Sequence, residues 1–313
     1  MAGKTIFVAG AGGLIGAEVT RELRDHGYQV LGLVRGPQAA EKVRALGAEP
    51  IHGDLSVAGD WQARALESHA LVDASQARLP SRLTIAGAKA AAAERIRFTT
   101  NLLAVASRKA GQLESYIALS GLEDYEPTSE REFNESTPIA AHPRGYGRIG
   151  LAVRPLLLKA LKEFDLPLVQ LRMGLVYGGG GWFRNYAERL RRGRLAIVGS
   201  GSNYNSLVSA ADVALATRLS IERRPVGKSF LVVDDEPVMQ QTWVAELARL
   251  LGRPSPRLKV PRWVANWAVG RVNVETFASS RRGQNSRVKQ ELEFALRFPT
   301  FRSGFADYLR QMK

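Results

Sequence analysis

A glycine spacing close to the start of the chain limits its fold more than any other feature. Thr5–Ala9 is a short run of apolar and β-branched residues. It leads into Gly10-Ala11-Gly12-Gly13-Leu14-Ile15-Gly16, and Leu14–Asp25 then carries a helical period. In Gly10-x-x-Gly13-x-x-Gly16 the first glycine permits a tight turn. The second admits a pyrophosphate to the backbone N–H groups, and the third lets the helix pack closely on the strand. The helix N-terminus then faces the phosphates. Between a strand and a helix, Gly10, Gly12, Gly13, Leu14, Ile15 and Gly16 read as a dinucleotide-binding loop rather than as a plain glycine-rich turn.

The following residues repeat the strand–helix alternation. Strands are expected at Gln29–Val34, near Glu49–Ile51, at Ala70–Ala74 and at Tyr116–Leu119. A helix is expected over Thr100–Ala110 and a long one from Tyr146 to Phe164, with a sixth strand at Pro167–Arg172. The pattern predicts an α/β fold with a doubly wound parallel sheet of the Rossmann type. Residues 1–178 would form the dinucleotide-binding domain, its sheet completed by residues near 229–234. Residues 179–313 would form a smaller substrate-binding region, opened by Gly178-Gly179-Gly180-Gly181.

Composition narrows the function. A chain of 313 residues with 45% hydrophobic residues can bury a sizeable core. It has no cysteine, which excludes disulfide scaffolds, cysteine nucleophiles and thiolate metal sites, and makes the reducing cytoplasm the expected compartment. No apolar run is long enough to span a membrane. Met1 to Val19 resembles a leader in its lysine and apolar stretch, but glycines interrupt it and no small-residue cleavage site follows. The net charge is +14, with basic residues spread along the chain and densest at Arg189–Arg194. Nucleic-acid binders more often gather charge and aromatics in one patch. An anionic substrate or cofactor, or weak attraction to an anionic membrane surface, accounts for the charge as well.

The end of the second strand bears on the cofactor. An acid there would accept from a ribose 2′-OH, as in NAD binders. The sequence is Val34-Arg35-Gly36. Arg35 either forks onto the 2′-phosphate of NADP or is a solvated arginine, and the first alternative makes NADP(H) the expected cofactor. Asp54 and Leu55 close the third strand, where a carboxylate suits the adenine amino group.

With these motifs the chain resembles an extended short-chain dehydrogenase/reductase of the NAD-dependent epimerase/dehydratase group. Tyr116-Ile117-Ala118-Leu119-Ser120 is similar to the strand that carries that family's catalytic serine. Tyr146-Gly147-Arg148-Ile149-Gly150 is similar to its Tyr-x-x-x-Lys helix. Leu171–Gly178 is similar to "RPGxVYG", and Leu207–Ala214 to "fvhVdDvA". The resemblance implies Tyr146 and Ser120 as catalytic residues. It places Ala74, Ser75 and Val176 beside the cofactor, and Gln76 near the substrate. Ser120 is equally well read as a bonded strand-end residue. The lysine position is Gly150, which would leave space beside Tyr146 and keep its phenol protonated, a state suited to donating a proton. The family's asparagine in the following helix falls at Ile96.

Nucleotide-sugar members of the family carry an arginine ahead of the "fvhVdDvA" segment, and the chain has none in Gly199–Ser206. Trp182 and Tyr204 are candidates for a mostly apolar substrate site, whereas Trp263 and Trp267, one turn apart, are expected to pack in the core or against another helix rather than to line a pocket or entry lid. The four histidines lack metal-ligand spacing, and Asp234-Asp235-Glu236 reads as a turn. Three functions fit this pattern. One is an NADP(H)-dependent reductase of a small apolar substrate. The others are an isomerase, epimerase or lyase, and a non-catalytic NADP(H)-binding sensor or assembly protein.

Overall fold

The computed structural model describes residues 3–312; Met1, Ala2 and Lys313 lie outside the described residues. Seven parallel strands form the central sheet: β1 (Thr5–Ala9), β2 (Gln29–Val34), β3 (Glu49–His52), β4 (Ala70–Asp73), β5 (Ser115–Gly121), β6 (Leu168–Met173) and β7 (Ser229–Val232). Their order is β7-β6-β5-β4-β1-β2-β3, with Ile6 level with Val30 on one side and Ala70 on the other. The winding reverses between β1 and β4, so a crevice opens beyond the C-terminal ends of these two strands.

Alternation along β1 explains the double layer. Ile6 and Val8 point to one face, where α1 (Leu14–Asp25) and α2 (Pro37–Ala45) pack. Phe7 and Ala9 point to the other, against α3 (Trp61–Ala65) and α4 (Ile85–Arg108). Trp61 is buried there, its ring stacked on Phe7 at 5.8 Å. The remaining helices are α5 (Gly147–Gly150), α6 (Arg154–Phe164), α7 (Gly181–Arg191), α8 (Ala210–Arg223), α9 (Gln240–Leu250), α10 (Arg262–Val269), α11 (Arg271–Phe277), α12 (Ser286–Leu292) and α13 (Phe301–Gln311). α6 joins the second face and α8 the first. A separate aromatic cluster built on Tyr177, Phe183, Trp243 and Phe305 holds α7, α9 and α13 together.

Three sequence expectations change. The helix expected over Thr100–Ala110 starts much earlier, at Ile85, where the Thr84 hydroxyl caps Gly87 N–H. The continuous helix expected from Tyr146 to Phe164 is broken into α5, a 3₁₀ turn at Leu151–Val153 and α6. Pro155 lacks the N–H that would continue an α-helical ladder through this stretch, and glycines at 147 and 150 weaken it further. Trp263 and Trp267 are not in the core: they are 74% and 77% exposed on α10.

The dinucleotide loop is closed by backbone. Gly10 has φ +84°, and a Cβ there would lie 2.6 Å from the Ala74 carbonyl oxygen. A Cβ at Gly16 would lie 2.0 Å from the Gly10 carbonyl oxygen, whereas at Gly13 the nearest atom would be that same oxygen at 3.2 Å. Gly16→Ala should therefore destabilise the fold by about 1–3 kcal/mol through overpacking, read as a lower urea midpoint. Gly13→Val should keep a near-native midpoint and lose dinucleotide binding, read by titration with both NADPH and NADH. Equal midpoints for wild type and Gly16→Ala would refute this account of the turn.

Candidate functional site

α1 starts without help from any side chain. Its N-cap is Gly13, no side chain bonds the free N–H groups, and no acid occupies the first turn. Such a helix end presents unpaired donors and partial positive charge to an anion. A cleft of about 570 Å³ opens in front of it. Gly10, Gly12, Gly13, Leu14 and Ile15 line it, while Gly16 is buried behind the turn. Arg35 lines the cleft from the end of β2 and is exposed. Asp54 and Leu55 line it after β3. The Asp54 carboxyl accepts from Ser56 N–H at 2.8 Å, a bond that lowers its pKa, with Arg35 and Arg97 adding to the shift.

Ala74, Ser75 and Gln76 form the opposite wall after β4. Gln76 is exposed. The Ser75 hydroxyl donates to Asp73 Oδ1 at 2.5 Å, and Arg95 reaches both Asp73, at 3.0 Å, and the Ser75 carbonyl, at 2.8 Å. Arg95 and Asp73 form a buried ion pair. Ile96, the position matched to the family's asparagine, is 38% exposed instead. Arg95, one residue earlier on α4, is the side chain that reaches the strand ends. Val176 does not line the cleft. Its carbonyl accepts from Trp182 Nε1 at 2.6 Å.

A second chamber of about 470 Å³ adjoins the cleft. The irregular segment after β4 serves both, lining the cleft at Ala74–Gln76 and the chamber at Leu79–Ser81. The Gly178–Gly181 loop does the same, since Leu14 of the cleft lies against it and Gly181 lines the chamber. The chamber wall is mostly apolar. Trp182 stands edge-on to Phe277 at 5.9 Å, and Tyr186 stacks on Phe277 at 5.8 Å. Arg189 and Arg194 bring positive charge to the same wall.

Tyr146 lines this chamber. Its backbone N–H donates to the Thr276 hydroxyl at 3.0 Å, and the Arg148–Glu275 ion pair ties α5 to α11. The phenol donates to Asn273 Oδ1 at 3.0 Å. Asn273 Nδ2 in turn donates to the Ser81 and Val269 carbonyls, at 3.0 and 2.8 Å. With both amide protons spent, the asparagine can only accept from the phenol. Burial, with the negative charge of Glu123 second, pushes the Tyr146 pKa well above the ordinary phenol value.

Ser120 belongs to a different network. Its hydroxyl donates to Asp124 Oδ2 at 2.6 Å, and Arg172 Nε reaches the same oxygen at 3.3 Å. The space expected beside Gly150 is closed by this group. A Cβ on Gly150 would lie 3.0 Å from both Ser120 Oγ and Asp124 Oδ1. Only about 20 Å³ remains there, roughly the room one water needs. Arg154 lines that small space too, though it is itself exposed. Tyr204 lines neither cleft nor chamber; it faces a separate depression, under the Arg282 guanidinium at 4.7 Å. Thus the structure gathers the loop residues, Arg35, Asp54, Leu55 and Ala74–Gln76 at one cleft, and Tyr146 and Trp182 at the adjoining chamber. Among the described residues no cluster of histidine and carboxylate suited to a metal ion occurs.

The fold and the cleft define a Rossmann-type dinucleotide-binding protein. The family model for the NAD dependent epimerase/dehydratase family matches residues 6–232, and the chain belongs to that family. It is 27% identical to a 3-diazoavenalumate denitrifying reductase from Streptomyces sp., over 96% of this chain and 98% of the relative. Its fold is similar to human epimerase family protein SDR39U1 (isoform 2), solved with NADPH. The TM-score is 0.79 at 18% identity, covering 98% of this chain and 99% of that one. It is also similar to UDP-glucuronic acid 4-epimerase from Bacillus cereus, solved with UDP-glucuronic acid and NAD. There the TM-score is 0.81 at 19% identity, covering 99% and 100%.

Asp124 allows a test of the network around Ser120. Burial pushes its carboxyl up to about 6, against the pull of Ser120 and Arg172. That lies above the value of about 3.9 in an unfolded chain, so the folded state holds the proton more tightly. The resulting stability is full below about pH 4 and is lost as pH rises through about 6. Asp124→Asn should remove this contribution, and Tm measured across that window should fall less steeply than in wild type. Parallel profiles would place the titration elsewhere.

Proposed function

We propose that the protein is an NADP(H)-dependent oxidoreductase that works mainly in the reductive direction on a small, mostly apolar substrate. The observation that carries this reading is the adjacency of two cavities. One ends at the uncapped α1 N-terminus with Arg35 at its rim, and the other is an apolar chamber into which Tyr146 faces. The dinucleotide supplies a hydride when bound. The protein's own part is to bind, to orient and to donate one proton. Gly12 and Gly13 leave room for the pyrophosphate, Arg35 offers a fork to the 2′-phosphate, and Asp54 accepts from the adenine. The Tyr146 phenol is protonated at neutral pH, which allows donation to a developing alkoxide and not abstraction from an alcohol; burial, by raising its pKa, makes it a weak donor. Donation requires the substrate oxygen to displace Asn273 Oδ1 as the acceptor. Trp182 and Tyr186 offer ring faces to the substrate body, and Gln76 stands at the cleft edge. Ser120 is held by Asp124 and supports the strand end.

A non-catalytic dinucleotide-binding protein is the second reading. The absent lysine and the commitment of the Tyr146 proton to Asn273 favour it. Titration with NADPH and NADH, followed by NADPH oxidation with apolar carbonyl compounds, separates the two. The reductase reading expects tighter NADPH binding, weakened about ten- to a hundredfold by Arg35→Ala with NADH unaffected. It also expects NADPH consumption that Tyr146→Phe lowers by less than the 10²–10⁴-fold typical of an activated acid. Equal affinities would remove the cofactor assignment. Binding without consumption would leave the second reading.

A further inference from the structure

We propose that the outer face of α10 docks on an anionic lipid bilayer. Trp263 and Trp267 are four residues apart, one helical turn, and stand on one face at 74% and 77% exposure. Leu258, just before the helix, is 65% exposed. On the same helix Ala265 and Val269 line the chamber. The helix is thus already packed through its inner face, and the indoles contribute nothing to that packing. The protein's other tryptophans are placed differently: Trp61 and Trp243 are buried, and Trp182 lies in the chamber wall.

The charge around these indoles selects the partner. Between Glu246 and Glu275, which pair with Arg249 and Arg271, the chain carries Arg253, Arg257, Lys259 and Arg262 and no acid. Arg257, Lys259 and Arg262 are exposed. Arg82, from the segment before α4, donates to the Trp267 carbonyl at 2.8 Å and adds a further cation. Indoles at headgroup depth beside lysine and arginine form the pattern of a helix lying in a membrane interface. The negative surface potential of anionic lipid attracts such a patch. A second copy of this chain meets it less well, because a two-fold contact would set basic face against basic face. Single-stranded nucleic acid would use the indoles as stacking platforms, but the exposed aliphatic Leu258 ahead of the helix fits hydrocarbon and not a base. Docking of this kind would bring the chamber to within about one helix diameter, ~10 Å, of the lipid.

The test uses the full chain with vesicles of phosphatidylcholine mixed with phosphatidylglycerol, and of phosphatidylcholine alone. Wild type should co-sediment with the mixed vesicles, and its tryptophan emission should shift to the blue as the two exposed indoles leave water. The double variant Trp263→Ser/Trp267→Ser should lose binding on the order of tenfold and lose the shift. Its Tm and NADPH affinity should match wild type. Any of four results would overturn the proposal. The first is equal vesicle binding by wild type and the double variant. The second is wild-type binding without a blue shift, which is charge attraction alone. The third is a wild-type dimer that the double variant converts to monomer. The fourth is an indole shift produced by a single-stranded oligonucleotide and not by the vesicles.

Discussion

Two backbone contacts at the switch between β1 and β4 control the rest of the structure. The Gly10 turn leaves no room for a side chain against the Ala74 carbonyl, and Gly16 lies against the Gly10 carbonyl. The first contact brings the ends of two adjacent parallel strands together at the crevice. The second seats α1 on β1, so that its N-terminus points along the crevice with its donors free. A larger residue at either place would push the helix away from the strand. The cleft, the packing of α1 against α8 and the position of the segment after β4 all depend on this close fit.

Behind the strand ends, buried charge takes the place of the missing lysine. Asp73 pairs with Arg95 and Asp124 with Arg172, each pair buried. Burying such pairs is costly unless hydrogen bonds complete them. Ser75 and Ser120 supply such bonds here, so neither hydroxyl is free in this arrangement, although Asp124 Oδ1 stays buried without a partner. The Tyr146 phenol is placed instead by contacts from α11 and by Asn273. In this chain the tyrosine is therefore oriented by a neutral amide, with no cation one turn along its own helix.

Local signals were legible in the sequence and long-range ones were not. Strands β1 and β2 and helix α1 match the expected boundaries residue for residue, because strand alternation, a glycine turn and a helical period follow one another without ambiguity. The early start of α4 was hidden by the alanine-rich stretch Ala86–Ala93, in which hydrophobicity varies too little to show a face. The break at Leu151–Val153 had a sequence cue in Pro155. The exposure of Trp263 and Trp267 had none, since an amphipathic pattern does not say which face meets the protein. Glycine spacing pointed to the loop residues, and position after the second and third strands pointed to Arg35 and Asp54; all but the buried Gly16 line the cleft. Asn273 lies 127 positions from Tyr146 and Arg95 lies 22 from Asp73, so only the folded chain brings these partners together. Arg189 and Arg194 had been visible as charge density, but not as chamber wall.

One segment joins the two cavities. Between β4 and α4 the chain has no regular structure, yet its first residues wall the cleft and the next few wall the chamber. Hydrogen bonds fasten this segment on both sides: Arg95 holds the Ser75 carbonyl at 2.8 Å, and Asn273 holds the Ser81 carbonyl at 3.0 Å. The side chain that accepts the Tyr146 proton therefore also anchors the wall that the cleft and the chamber share. A change that loosens this one stretch would reshape both cavities at once.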